Sequence, residues 1–130
     1  MQIDGLTAYA HVADVQRSIE FYRHFGLEVQ NRHESGGTLV WAFVTCPSDN
    51  PHDAGARLML ALADGPLDAA SQAVLFYCWT PDVQGLHDQL AAAGVEVEDV
   101  KHPFYMSAGE FRAVDPDGYV LLVGQRDDAS

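Results

Sequence analysis

Lysine is almost missing from this chain. Lys101 is the only one, and basic residues total seven against nineteen acidic ones, a formal charge of −12. A nucleic-acid backbone demands clustered Lys and Arg, so a nucleic-acid partner is excluded. An anionic membrane surface is excluded for the same reason, and the field favours cationic or neutral ligands instead. Cysteine is scarce too. Cys46 and Cys78 sit inside the apolar runs WAFVTC and VLFYCW, which suits small buried hydrophobes in a reducing compartment. Spacing alone does not decide between two thiols and one disulfide, and the lack of an export signal favours thiols. The start MQIDGLTAYAHV has no basic segment followed by an apolar one, so a cytoplasmic location is expected. No apolar run approaches the ~20 residues of a membrane span. The phosphate-cradling patterns GxGxxG and GxxxxGK[ST] are absent, and no base is placed beside either cysteine as nucleophile.

What remains is a globular composition, 48% apolar and 20% charged over 130 residues. Such a length buries roughly two thirds of its unfolded surface without a staple, and one domain over 1–130 is expected. Within it the chain repeats itself at an offset of 68. AHVADVQRSIEFYRHFGLEV (10–29) aligns with CWTPDVQGLHDQLAAAGVEV (78–97), with identities at Asp14/Asp82, Val15/Val83, Gln16/Gln84, Gly26/Gly94, Glu28/Glu96 and Val29/Val97. Asp14 and Asp82 are placed to cap a helix, Gly26 and Gly94 to end it. Between them Val15, Ile19, Tyr22 and Phe25, and then Val83, Leu86, Leu90 and Ala93, form apolar helical stripes. Strand-like runs flank each helix, and turn signals at 35–37, 48–55, 64–66 and 115–118 separate them. The order reads β-α-β-β-β twice, module one about 5–63 and module two about 73–125. Residues 97–106 read as a weak strand followed by a loop at Pro103.

The string DV-x-x-S-x-x-FY-x-x-FGLEV (Asp14–Val29), with DPDG-Y-V-L-L (Asp115–Leu122), resembles the vicinal oxygen chelate superfamily. That superfamily includes glyoxalase I, extradiol dioxygenases, and fosfomycin and bleomycin resistance proteins. The resemblance runs from about Leu6 to Gln125. It implies an α+β fold in which two tandem βαβββ modules form an eight-stranded, incompletely closed barrel around a cleft. It also implies a homodimer whose cleft draws on both subunits. In metal-dependent members the first and last strand of each module supply four ligands, usually His and Glu. Carried over residue by residue, those positions hold Thr7, Met59, Leu75 and Leu122. A divalent ion needs oxygen, imidazole or thiolate donors. One hydroxyl among three apolar side chains supplies no such set, so no metal or other cofactor is expected. A displaced site from His11, His102 and Glu110 stays open. His24 and His87 fall on helices, and His33 and His52 in turn-rich segments.

Strand alternation then lines the cleft. Strand one contributes Thr7, Tyr9 and His11; the first strand of module two contributes Leu75, Tyr77 and Trp79; the last contributes Val120, Leu122 and Gly124. Trp41 and Phe43 share one face of their strand, on a side the sequence does not fix. For Tyr77 and Trp79, core packing and ligand contact both stay open, because each carries a polar handle that a dry core must satisfy. Glu110 and Arg112 share a face and suit a cross-strand pair; facing the cleft, Glu110 suits a cationic group. His11 is the one candidate general base. The expected function is metal-free binding of an aromatic or cationic small molecule. The alternative is a lyase, isomerase or dioxygenase with a displaced or cofactor-free site.

Overall fold

The computed structural model describes residues 1–3, 5–49 and 55–126, so His52 and most of the 48–55 turn lie outside the described residues. Two compact units, Met1–Leu67 and Asp68–Ser130, follow one another along the chain.

The first unit runs β1 (Ala8–Val12), α1 (Val15–Arg23), β2 (Glu28–Ser35), β3 (Thr38–Cys46) and β4 (Ala56–Leu62). Its sheet has the order β1-β4-β3-β2, with β1 parallel to β4 and the other pairs antiparallel. The capping expected of Asp14 is present: its carboxylate accepts from the Arg17 backbone N–H at 3.1 Å. Gly26, at φ 92, supplies the left-handed turn after the helix. Val15, Ser18, Ile19 and Tyr22 are buried, the i, i+3, i+4, i+7 set of a helix lying on a sheet. On the sheet side, Ala10, Val12, Ala42, Val44, Leu58 and Leu60 are buried. Each large side chain so buried contributes roughly 1.5–3 kcal/mol. The polar strand β2 closes one edge, exposed at every position except Val29.

The second unit repeats the plan with β5 (Leu75–Thr80), α2 (Val83–Ala92), β6 (Glu110–Val114) and β7 (Val120–Gln125), in the order β5-β7-β6. Here too the first strand runs parallel to the last. Asp82 caps through Gly85 N–H at 3.0 Å, and Gly94, at φ 85, ends the helix. Val83 and Leu90 are buried as expected, whereas Ala93 is exposed. His87 takes the inner position instead, its ring edge-on to Phe111 at 5.5 Å. The DPDG turn closes on Asp115, whose carboxylate accepts from the backbone N–H groups of Asp117 and Tyr119, both at 2.9 Å.

The α+β class stands, with one difference in strand count. Among the described residues seven strands form ladders. The segment expected as the eighth makes only isolated bridges, Val97 to Ala113 and Lys101 to Glu110. Between those bridges one side advances four residues and the other three, so the ladder cannot stay in step. Pro103, which has no N–H to give, then leads into a short 3₁₀ turn, Phe104–Met106.

Candidate functional site

Each sheet hides one face under its helix and leaves the other free of it. In the first unit, β1 pairs Tyr9 with Met59 and His11 with Ala61, and β3 pairs Phe43 with Met59 and Trp41 with Ala61. The register therefore gathers Tyr9, His11, Trp41, Phe43 and Met59 on the face away from α1, the side on which Trp41 and Phe43 were undecided. Thr7 falls just before β1, half-buried. Tyr9 and His11 meet edge to face at 5.5 Å. Next to this set, Arg57 lies over the Phe43 ring, 5.1 Å from its centroid.

In the second unit, β5 pairs Leu75 with Val120, Tyr77 with Leu122 and Trp79 with Gly124. β6 then sets Glu110 beside Gly124 and Arg112 beside Leu122. All of these lie on the face away from α2. Trp79 is 63% exposed, so the core reading of its indole is not what the fold adopts. Its ring is tilted against Tyr77, 5.0 Å between centroids.

Glu110 is the chemical centre of this face. It is only 7% exposed, and a buried carboxylate is costly unless hydrogen-bonded. Two phenols satisfy it. Tyr77 donates to one oxygen at 2.9 Å and Tyr105 to the other at 2.8 Å. Burial, followed by the hydrogen bond to Glu110, pushes the Tyr77 hydroxyl up to about 12. The bond to Glu110 raises Tyr105 as well. Of the two residues suited to a cross-strand pair, Arg112 makes one, with Glu98 at 3.1 Å, and Glu110 turns to the phenols instead. Tyr105 was not foreseen. Its 3₁₀ turn carries no periodicity, and only the exposed aromatic pair Phe104–Tyr105 after Pro103 marks it.

The metal implied by the fold does not fit its usual positions. Thr7, Met59, Leu75 and Leu122 offer one hydroxyl, one thioether and two alkyl groups. The displaced set fares no better. The His102 imidazole is engaged with the Ser107 carbonyl at 2.9 Å. Among the described residues no three His, Cys, Asp or Glu side chains gather as a metal site.

A model of the Glyoxalase/Bleomycin resistance protein/Dioxygenase superfamily matches residues 6–123. The chain belongs to that superfamily. No curated protein sequence matches it, but solved structures of the superfamily do. A bleomycin resistance determinant encoded on the transposon Tn5 is similar at TM-score 0.75 and 17% identity, covering 96% of this chain and 99% of that one. A bleomycin-binding protein complexed with bleomycin follows at 0.73 and 17%, covering 96% and 100%. A fosfomycin resistance protein of Listeria monocytogenes, complexed with Mn(II), is similar at 0.67 and 17%, covering 95% and 93%. At such identities the likeness shows the fold. No helix among the described residues is long and apolar enough to cross a membrane.

Proposed function

We propose that this superfamily member is a metal-free small-molecule-binding protein, acting from the cytoplasm as a homodimer. Its ligand is aromatic and cationic. The observation that carries the reading is the Tyr77–Trp79 pair beside the buried Glu110 carboxylate. A carboxylate has about four acceptor sites, and the two phenols use two of them. The remaining ones, with an exposed indole next to them, suit an ammonium or amidinium group on a flat apolar body. A cation over the indole adds roughly 0.5–2 kcal/mol. The formal charge of −12 draws such a ligand in.

The apolar character of Met59, Leu75 and Leu122 supports binding without turnover, as does the bleomycin-binding protein among the similar structures. The dimer reading rests on the superfamily likeness and on sheet edges: β1 and β5 each have one ladder partner, and edges of that kind invite pairing or covering. Equilibrium dialysis against bleomycin and other cationic aromatic compounds tests the function. Saturable binding, with no divalent metal in protein purified without chelators, is the expected result. Lack of binding across the panel, or stoichiometric metal lost on His11→Ala, overturns it in favour of an enzyme with a displaced site. Sedimentation at micromolar concentration tests the dimer, and a 14.2 kDa species alone would remove it.

A further inference from the structure

The first unit carries a groove of about 260 Å³ lined by Gln30, Phe43, Thr45, Pro47 and Arg57. Its polar groups come from three strands. Thr45 and Arg57 stand opposite each other on β3 and β4, and the guanidinium leans diagonally onto Phe43. Gln30 is the extra residue where the β2–β3 register slips between Val29 and Asn31, and a bulge of this kind re-aims a side chain. The groups that meet are a guanidinium, a carboxamide and a hydroxyl. No carboxylate lines the groove among the described residues, in a chain where acids outnumber bases nineteen to seven.

Arg23, Lys101 and Arg112 each pair with a glutamate. Arg57 stacks on an aromatic ring instead, which holds the guanidinium plane in place and leaves its N–H edge for a ligand.

We infer that this groove binds an aromatic carboxylate. The carboxylate takes two parallel hydrogen bonds from Arg57. The Gln30 amide and the Thr45 hydroxyl supply further donors, and Pro47 and Phe43 provide apolar contact for the ring. The volume suits a small guest. It falls below the roughly 300–1,000 Å³ of drug-sized pockets, room for one ring and its acid group. The acidic remainder of the molecule opposes an anion. Exposed charges beyond roughly 8 Å are largely screened at physiological salt, so the guanidinium in contact decides. The groove prefers the opposite charge to the Glu110 carboxylate.

Benzoate is the probe, read by two-dimensional NMR of the ¹⁵N-labelled full chain. Benzoate should shift the Arg57 Nε–H, Gln30 side-chain amide and Thr45 amide signals saturably. Benzamide, which keeps the ring and loses the charge, should bind at least about tenfold more weakly. Arg57→Gln should lose benzoate by a similar factor. Arg57→Lys, a point charge without the fork, should fall between. The remaining spectrum reports that each variant is folded. Equal shifts with benzamide, unchanged benzoate binding in Arg57→Gln, or no saturable shift up to tens of millimolar would each overturn the assignment.

Discussion

Gly124 is what lets Tyr77 reach Glu110. The phenol of Tyr77 crosses β7 at Gly124, where a side-chain Cβ would come within 2.5 Å of the Tyr77 hydroxyl and 3.2 Å of its Cε1. The same Cβ would stand 3.1 Å from Met106 Cε, next to the Tyr105 turn. One absent methyl group thus leaves room for the carboxylate's partners on both sides.

Gly124→Ala should therefore move Tyr77 off Glu110 without unfolding the sheet, because the crowded atoms belong to side-chain ends. The loss of one hydrogen bond to this buried carboxylate should cost roughly 1.5–3 kcal/mol. A crystal structure of the variant should show the Tyr77 ring swung away. An undisturbed Tyr77–Glu110 bond would contradict the close approach at Gly124.

The same bond should be visible in alkaline titration. A free phenol ionises near pH 10, whereas Tyr77 is held up to about 12, first by burial and then by Glu110. The folded state keeps this proton longer than the unfolded one, so the contribution is complete below about pH 10 and is lost as pH rises towards 12. Phenolate absorbance should show Tyr77 and Tyr105 both titrating late, the Tyr77 share being the part lost in Tyr77→Phe, and Glu110→Gln should return both part of the way. Burial would hold the rest. No change in Glu110→Gln would mean the carboxylate does not act on Tyr77.

Cys78 should resist thiol reagents in the folded protein. Burial pushes Cys78 up to about 11, so it holds little thiolate at neutral pH, and thiolate is the reacting form. Alkylation of Cys78 in the folded protein should be far slower than after unfolding. Mass spectrometry of the labelled peptides checks this, and equal rates would show that the strand is open.

The elements legible in the sequence were those built from local rules. Asp14 and Asp82 announce helix starts because a short carboxylate reaches N–H groups three residues on. Gly26 and Gly94 announce their ends through a backbone geometry other residues resist. Strand alternation, anchored on the positions that the superfamily resemblance supplied, also placed Tyr9, His11, Tyr77 and Trp79 on helix-free faces, since residues two apart on a strand share a face. What stayed hidden depends on contacts between distant residues. Nothing around Tyr105 foretells its bond to Glu110, and nothing around Arg112 foretells that it prefers Glu98, fourteen residues away. Arg57 was equally silent, because its stacking on Phe43 follows from the β3–β4 register.

Trp79 offers the sharpest test of the proposed binding face. At 63% exposure its indole adds little to the core, so Trp79→Ala should destabilise the fold by far less than the ~3–5 kcal/mol of a buried Trp. Against a cationic aromatic ligand the same change should weaken affinity about tenfold, since 1.4 kcal/mol corresponds to one decade. Trp79→Phe, which keeps a ring with a weaker quadrupole, should recover part of that loss. Fluorescence adds an independent readout: Trp41 lies on the other unit, so the Trp41→Phe variant isolates the Trp79 signal. In that variant a bound ligand should quench or shift the emission. If Trp79→Ala lowers the melting temperature severely and leaves affinity unchanged, the indole belongs to the scaffold and the ligand sits elsewhere.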